Sequence, residues 1–148
     1  MRFKTWALGL TLAGTALLSA CGGGGSDDNK STNIRLLNAT RSYNALDLAV
    51  DDKSVNTSVA YASVGSYASV GTTDTATQVQ TSGVGTTVAA LTPSLSEGSN
   101  YTVIAYGWAG AVRTSLLQEA EEAPASGKSK LLVLNLAPDA GALDVFLS

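Results

Sequence analysis

The chain has 148 residues, 45% of them hydrophobic and 14% charged, with one Cys, no His and a formal charge of −3. Without His there is no imidazole base, no His-held metal and no Ser-His or Cys-His pair. A single Cys excludes an intramolecular disulfide, a Cys-rich zinc site and an iron–sulfur cluster, and the acidic balance argues against nucleic acid as a partner.

The first element in chain order is a leader. Arg2 and Lys4 give it a positive start, and residues 6–18 form an uncharged apolar run of signal-peptide length, too short for a mature span. The run ends in Leu18-Ser19-Ala20-Cys21, the pattern of a lipobox. Small residues before the cysteine let a peptidase reach the backbone, and the Cys21 thiol can take a diacylglyceryl thioether. Cleavage between Ala20 and Cys21 then frees an amine for N-acylation. The expectation is a helical signal peptide over residues 1–20 and a covalent diacylglycerol and N-acyl lipid on Cys21, with no other cofactor. Removing residues 1–20 takes away Arg2 and Lys4 and moves the formal charge from −3 to −5. Several acyl chains at ~0.8 kcal/mol per buried CH₂ hold a protein at a bilayer without an amphipathic helix. Residues 21–32, with four glycines from Gly22 to Gly25 and a polar run behind them, read as the lipidated Cys and a flexible tether. A Gly-rich phosphate loop would need a preceding strand and a following Lys-Ser/Thr helix start, which the sequence lacks. Gly rather than Asp after Cys21 points to the outer membrane.

From residue 34 the pattern changes to short β-prone runs between Gly, Asn, Asp and Pro clusters. Strands are predicted at 34–38, 45–50, 54–61, 67–70, 76–81, 86–91, 101–107 and 112–117. The alternation over 75–81 suggests an edge or half-exposed strand, whereas the nearly continuous apolar run 101–106 suits a central strand buried on both sides. Asp51-Asp52-Lys53 is a predicted hairpin turn. Only residues 116–122 have helical composition, ended by Pro124. Many short, closely spaced strands predict an all-β protein, an antiparallel Ig-like β-sandwich.

Two repeats are present. Tyr61-Ala62-Ser63-Val64-Gly65 recurs as Tyr67-Ala68-Ser69-Val70-Gly71, and residues 34–51 align without a gap on 131–148 at an offset of 97. In the larger repeat Asn38 and Asp47 correspond to Asn135 and Asp144. An offset of 97 is the size of one sandwich unit. The expected organisation is therefore one unit over 33–128, followed by the first strands of a second, truncated unit over 129–148. Left free, strands 131–136 and 142–147 would expose apolar edges. They are expected to dock on the first unit by pairing along an open edge, unless they begin a longer two-unit protein.

These features together resemble a known family. The Ala-Leu-Asp-Leu strand, the Tyr-Ala-Ser-Val-Gly-Ser-Tyr segment, and the later Tyr-Thr-Val-Ile-Ala-Tyr-Gly strand are similar to the bacterial domain of unknown function DUF4397. Ala137-Pro138-Asp139-Ala140 and Ala142-Leu143-Asp144-Val145 lie closer still to its pattern. The resemblance covers roughly 33–148 and departs from the family in the Thr-rich stretch 72–87. It implies a secreted or lipid-anchored β-sandwich, commonly built of two tandem units, and implies no mechanism.

Few residues invite chemistry. Asp47 and Asp144 could be ligand or calcium carboxylates, but an Asp at strand entry also accepts backbone N–H bonds, and recurrence in both units favours that structural role. No Gly-x-Ser-x-Gly elbow is present, and Lys53, Lys128 and Lys130 lie in polar, turn-like contexts unsuited to a Ser-Lys dyad. Neither catalytic nor metal-binding residues are expected. Trp108, in Gly107-Trp108-Ala109-Gly110, reads as a hairpin tip. Its indole would either stack on a sugar, a partner or the lipid interface, or fold back as a lid on the core. Tyr61, Tyr67 and Tyr106 are expected in core or cross-strand positions. The sequence thus predicts a non-catalytic interaction or display module in the bacterial cell envelope. It would be held to the membrane by its lipid and meet an envelope protein or glycan. The alternative is a carboxylate-based hydrolase or lyase acting on envelope glycans.

Overall fold

The computed structural model describes residues 30–73 and 75–146. The expected signal peptide, Ala20, Cys21 and most of the tether lie outside the described residues. Nine strands follow: β1 (Ser31–Asn38), β2 (Ala45–Val50), β3 (Lys53–Ala60), β4 (Ser63–Val64), β5 (Ala68–Gly71), β6 (Thr77–Thr81), β7 (Thr87–Leu91), β8 (Asn100–Trp108) and β9 (Ala111–Gln118). They form two sheets. In the first, β8 lies between β9 and β1, and β1 carries β4 and β5 on its other side; the second runs β3-β2-β6-β7. The fold is the expected all-β sandwich, with one parallel pairing, β1 on β8, among otherwise antiparallel ladders.

Period-two alternation builds the core. Ile34 and Leu36 of β1, Leu46 and Leu48 of β2, Val79 of β6 and Val103 of β8 point inward and are fully buried together. Each such side chain stabilises the sandwich by about 1.5–3 kcal/mol. The β2–β3 hairpin turns at Asp51 and Asp52, both at positive φ as a two-residue turn of the I′ type requires. The strand β8 is buried on both faces, as its unbroken apolar run predicts.

The small repeat has a structural meaning. Its first copy supplies β4, opposite Leu37 and Asn38, and its second supplies β5, opposite Ser31 to Ile34. Both copies therefore line one edge of β1. One extra residue intervenes between them, so Val64 faces solvent while Val70 packs on the core. The break is pinned by Asn56 of β3. Its Oδ1 accepts from Leu36 N at 2.7 Å, and its Nδ2 donates to Ser66 O at 2.8 Å and Val55 O at 3.0 Å. Gly65 is needed here, because a Cβ would stand 2.5 Å from Asn56 Oδ1.

Three expectations are corrected and one alternative is resolved. Residues 111–118 are strand and no helix follows among the described residues, because Val112 and Leu116 alternate onto the core and β8 offers them a complete ladder. Of the edge or half-exposed strand expected over 75–81, the second is formed: β6 lies between β2 and β7, and its alternation reflects one solvent-facing side. Tyr61 and Tyr67 are exposed, and Tyr101 and Tyr43 take core positions instead, whereas Tyr106 is half-buried in an expected cross-strand position opposite Arg113. The strands expected at 131–136 and 142–147 are not formed among the described residues. Neither β9 nor the β4–β5 edge gives residues 131–146 a ladder, and β-rich composition without a partner does not make a strand. Leu131, Leu132, Val133, Leu134, Leu143, Val145 and Phe146 remain exposed.

Candidate functional site

The even-numbered residues of β8 point away from the core and, with Arg35 and Leu37 of β1 and Leu117 of β9, form the outer face of the first sheet. Ile104, in the middle of that face, is only 1% exposed. Lys130 and Leu132 share a groove with Arg35, Tyr67 and Leu117 at one end, and residues 136–139 share a second with Gly107 and Trp108 at the other. The segment 130–139 therefore runs along this face from end to end.

The first groove, of about 510 Å³, is built around a clamp. Arg35 Nη2 donates to Glu119 Oε1 at 2.8 Å and Arg35 Nε to Thr102 Oγ1 at 2.9 Å, while the Thr102 hydroxyl donates to the same Glu119 oxygen at 2.5 Å. The guanidinium lies 4.1 Å from the centre of the Tyr67 ring, a cation–π stack. Burial pushes the Glu119 carboxyl up, but hydrogen bonds from Thr102, Tyr67 and Arg35, with the Arg35 charge, outweigh it and hold it below the usual carboxylate range. Burial and the Glu119 carboxylate push the Tyr67 phenol up. Glu121, on the groove's rim, is held low by the hydrogen bond and charge of Lys130, whose ammonium also donates to Glu122 O at 3.2 Å. Every charge in this groove has a partner.

The second cleft, of about 400 Å³, differs in this respect. Trp108 ends β8, pairs with Ala111 across a hairpin tip and is 52% exposed. It is therefore not a lid on the core. Gly107 before it stands at φ +101°, where a Cβ would lie 2.7 Å from Ala111 O. The Thr40 hydroxyl donates to Gly107 O at 2.9 Å, tying the β1–β2 loop to the indole's base. That loop is organised by buried Asn38, which donates to Val59 O and Tyr43 O and accepts from Thr40 N at 3.1 Å. Asn135 repeats the device: it accepts from Ala137 N at 3.2 Å and donates to Gly141 O at 3.0 Å. The two loops, 97 residues apart, contribute Ala39 and Arg41 on one side and Leu136 to Asp139 on the other. Among the described residues neither Arg41 nor Asp139 has an ion-pair partner.

The remaining expected residues are separate. Asp47 does accept a backbone N–H, but from Ser58 of β3 at 2.6 Å rather than from the preceding loop, and so holds Ser58 at its positive φ of 52°. Asp144 is exposed and makes no hydrogen bond among the described residues. Asp47, Asp144 and Trp108 are not brought together, and no group of three His, Cys, Asp or Glu side chains clusters among the described residues. Sequence reading missed Arg35, Glu119 and Asn56. Arg35 and Glu119 are 84 residues apart, and nothing local marks either.

A search of curated proteins finds no match to the chain. Residues 32–146 match the model of a family described as a domain of unknown function, with the two-sheet fold and Asn-anchored loops lying inside that span, and the chain belongs to this family, DUF4397.

Proposed function

We propose that the protein is a lipid-anchored, non-catalytic interaction module of the bacterial cell envelope, anchored through Cys21 to the outer membrane and using the outer face of its first sheet. The observation that carries the non-catalytic reading is the pairing of Glu119 with Arg35 and of Glu121 with Lys130. These two carboxylates line one groove, as in a glycoside hydrolase, yet cations beside both hold them low. Glycoside hydrolysis needs one carboxyl held high enough to donate a proton near neutral pH. An arginine-clamped glutamate is poorly suited to that role. The Leu18-Ser19-Ala20-Cys21 sequence supports the anchor.

Two experiments test this reading. Cells expressing the chain are labelled with palmitate; the protein takes up label in the membrane fraction, and Cys21→Ser loses it. Undiminished labelling of that variant refutes the anchor. The protein is also screened against envelope oligosaccharides and peptides for binding and for turnover. Binding without turnover is expected. Turnover abolished by Glu119→Gln or Glu121→Gln would establish the hydrolase or lyase alternative.

A further inference from the structure

We infer that the cleft between the two Asn-anchored loops is a saccharide site, in which the Trp108 indole stacks on a neutral pyranose ring and Arg41 and Asp139 hydrogen-bond its hydroxyls. The inference rests on the reading of the outer face as a binding surface and names the ligand chemistry for one end of it. Three observations converge there. The indole is half exposed on a tip held by the Thr40–Gly107 bond, so an aromatic face is presented by rigid backbone. The cleft has a donor-only guanidinium on one lip and an acceptor-only carboxylate on the other, and among the described residues neither forms an ion pair. Its volume of about 400 Å³ falls in the range of small-ligand sites.

Charge chooses the ligand. An anionic ligand would be drawn to Arg41 but repelled by Asp139, and a cation would meet the opposite pair of effects. A sugar ring offers an apolar C–H face to the indole and hydroxyls that both donate and accept, so one neutral ligand uses all three groups. The internal repeat explains how the lips arise. Asn38 and Asn135 each fold the following residues back onto their own side chain, and the two resulting loops line the same cleft. In the first groove the Arg35–Glu119 and Lys130–Glu121 pairs satisfy each other, leaving no comparable charge for a ligand.

The test uses the protein processed at Cys21 and held in detergent, in which loss of residues 1–20 removes Trp6 and leaves Trp108 as the sole tryptophan. Indole emission is followed during titration with cellohexaose, chitohexaose and mannohexaose, and with hexaglutamate and hexalysine peptides for comparison. Calorimetry measures the affinities. At least one oligosaccharide shifts the emission, and neither peptide does. Trp108→Ala weakens that sugar tenfold or more, Trp108→Phe restores part of the loss, and Arg41→Ala and Asp139→Asn each weaken it severalfold. Circular dichroism and melting confirm that the variants fold. Failure of all three sugars to bind overturns the inference, as does peptide binding in their place. Sugar binding that survives Trp108→Ala overturns this cleft while leaving the interaction-module reading standing; sugar turnover instead overturns the non-catalytic reading.

Discussion

Replacing Asn56 tests how the two sheets are joined. Its amide reaches from β3 in one sheet to Leu36 N of β1 and Ser66 O beside β5 in the other, at 2.7 and 2.8 Å. Asn56→Ala removes these bonds and leaves the Leu36 N–H buried without an acceptor. A net hydrogen bond is worth about 1 kcal/mol, and an unsatisfied buried donor costs 1–3 kcal/mol, so a loss of about 2–4 kcal/mol is expected. Gly65→Ala places a Cβ 2.5 Å from the same Oδ1 and should cost about 1–3 kcal/mol through overpacking. The two substitutions are not independent, because with alanine at 56 the added methyl no longer meets the amide. The double variant should therefore be more stable than the sum of single losses allows, by about 1–3 kcal/mol. Urea denaturation of the four proteins, read by circular dichroism, measures the cycle; an unchanged m-value licenses the comparison. Additivity within about 0.5 kcal/mol would refute the contact.

Other outcomes follow from the same geometry. Glu119 is held below its ordinary value in the folded state, so its contribution is present above the unfolded pKa near 4.5 and is lost as pH falls through the depressed value. Because Arg35 and Glu119 side chains are 25% and 33% exposed, Glu119→Gln should cost only about 1 kcal/mol at pH 7, with the difference from wild type fading in acid melts. Asp47→Ala should cost about 1 kcal/mol by freeing the Ser58 N–H, whereas Ser58→Gly should gain a few tenths to about 1 kcal/mol by relieving the positive φ. Both are read from thermal melts, and a destabilised Ser58→Gly would show that the Ser58–Ser82 hydroxyl contact matters more.

What could be read from the sequence was what alternation and turn chemistry encode locally. Strand β2 has the expected bounds, since Leu46, Leu48 and Val50 alternate up to a turn of two aspartates. Strand β4 escaped notice because two residues carry no pattern; only the edge of β1 makes Ser63 and Val64 a strand. The false helix at 116–122 shows composition giving way to a ladder, since Leu116 and Leu117 sit opposite Val103 and Thr102. Of the candidate cleft, Trp108 stood out through its flanking glycines. Arg41 and Asp139 did not, because they meet it only through loops brought together by the fold. The duplicated asparagines were legible as a repeat, but not as the hinge pins of two facing loops.

The parallel pairing of β1 with β8 also constrains how the chain folds. Residues paired across it, such as Asn33 and Asn100, are 67 apart, while the β2–β3 and β8–β9 hairpins close locally. Loop-closure entropy makes such a distant pairing late and raises contact order, so folding should be slow beside a protein built of hairpins alone. The first strand of the sandwich to leave a ribosome must therefore wait for nearly the last before its parallel partner arrives. Until β8 emerges, β1 can pair only with the short strands β4 and β5, and Ile34 and Leu36 lack the neighbouring strand that completes their sheet.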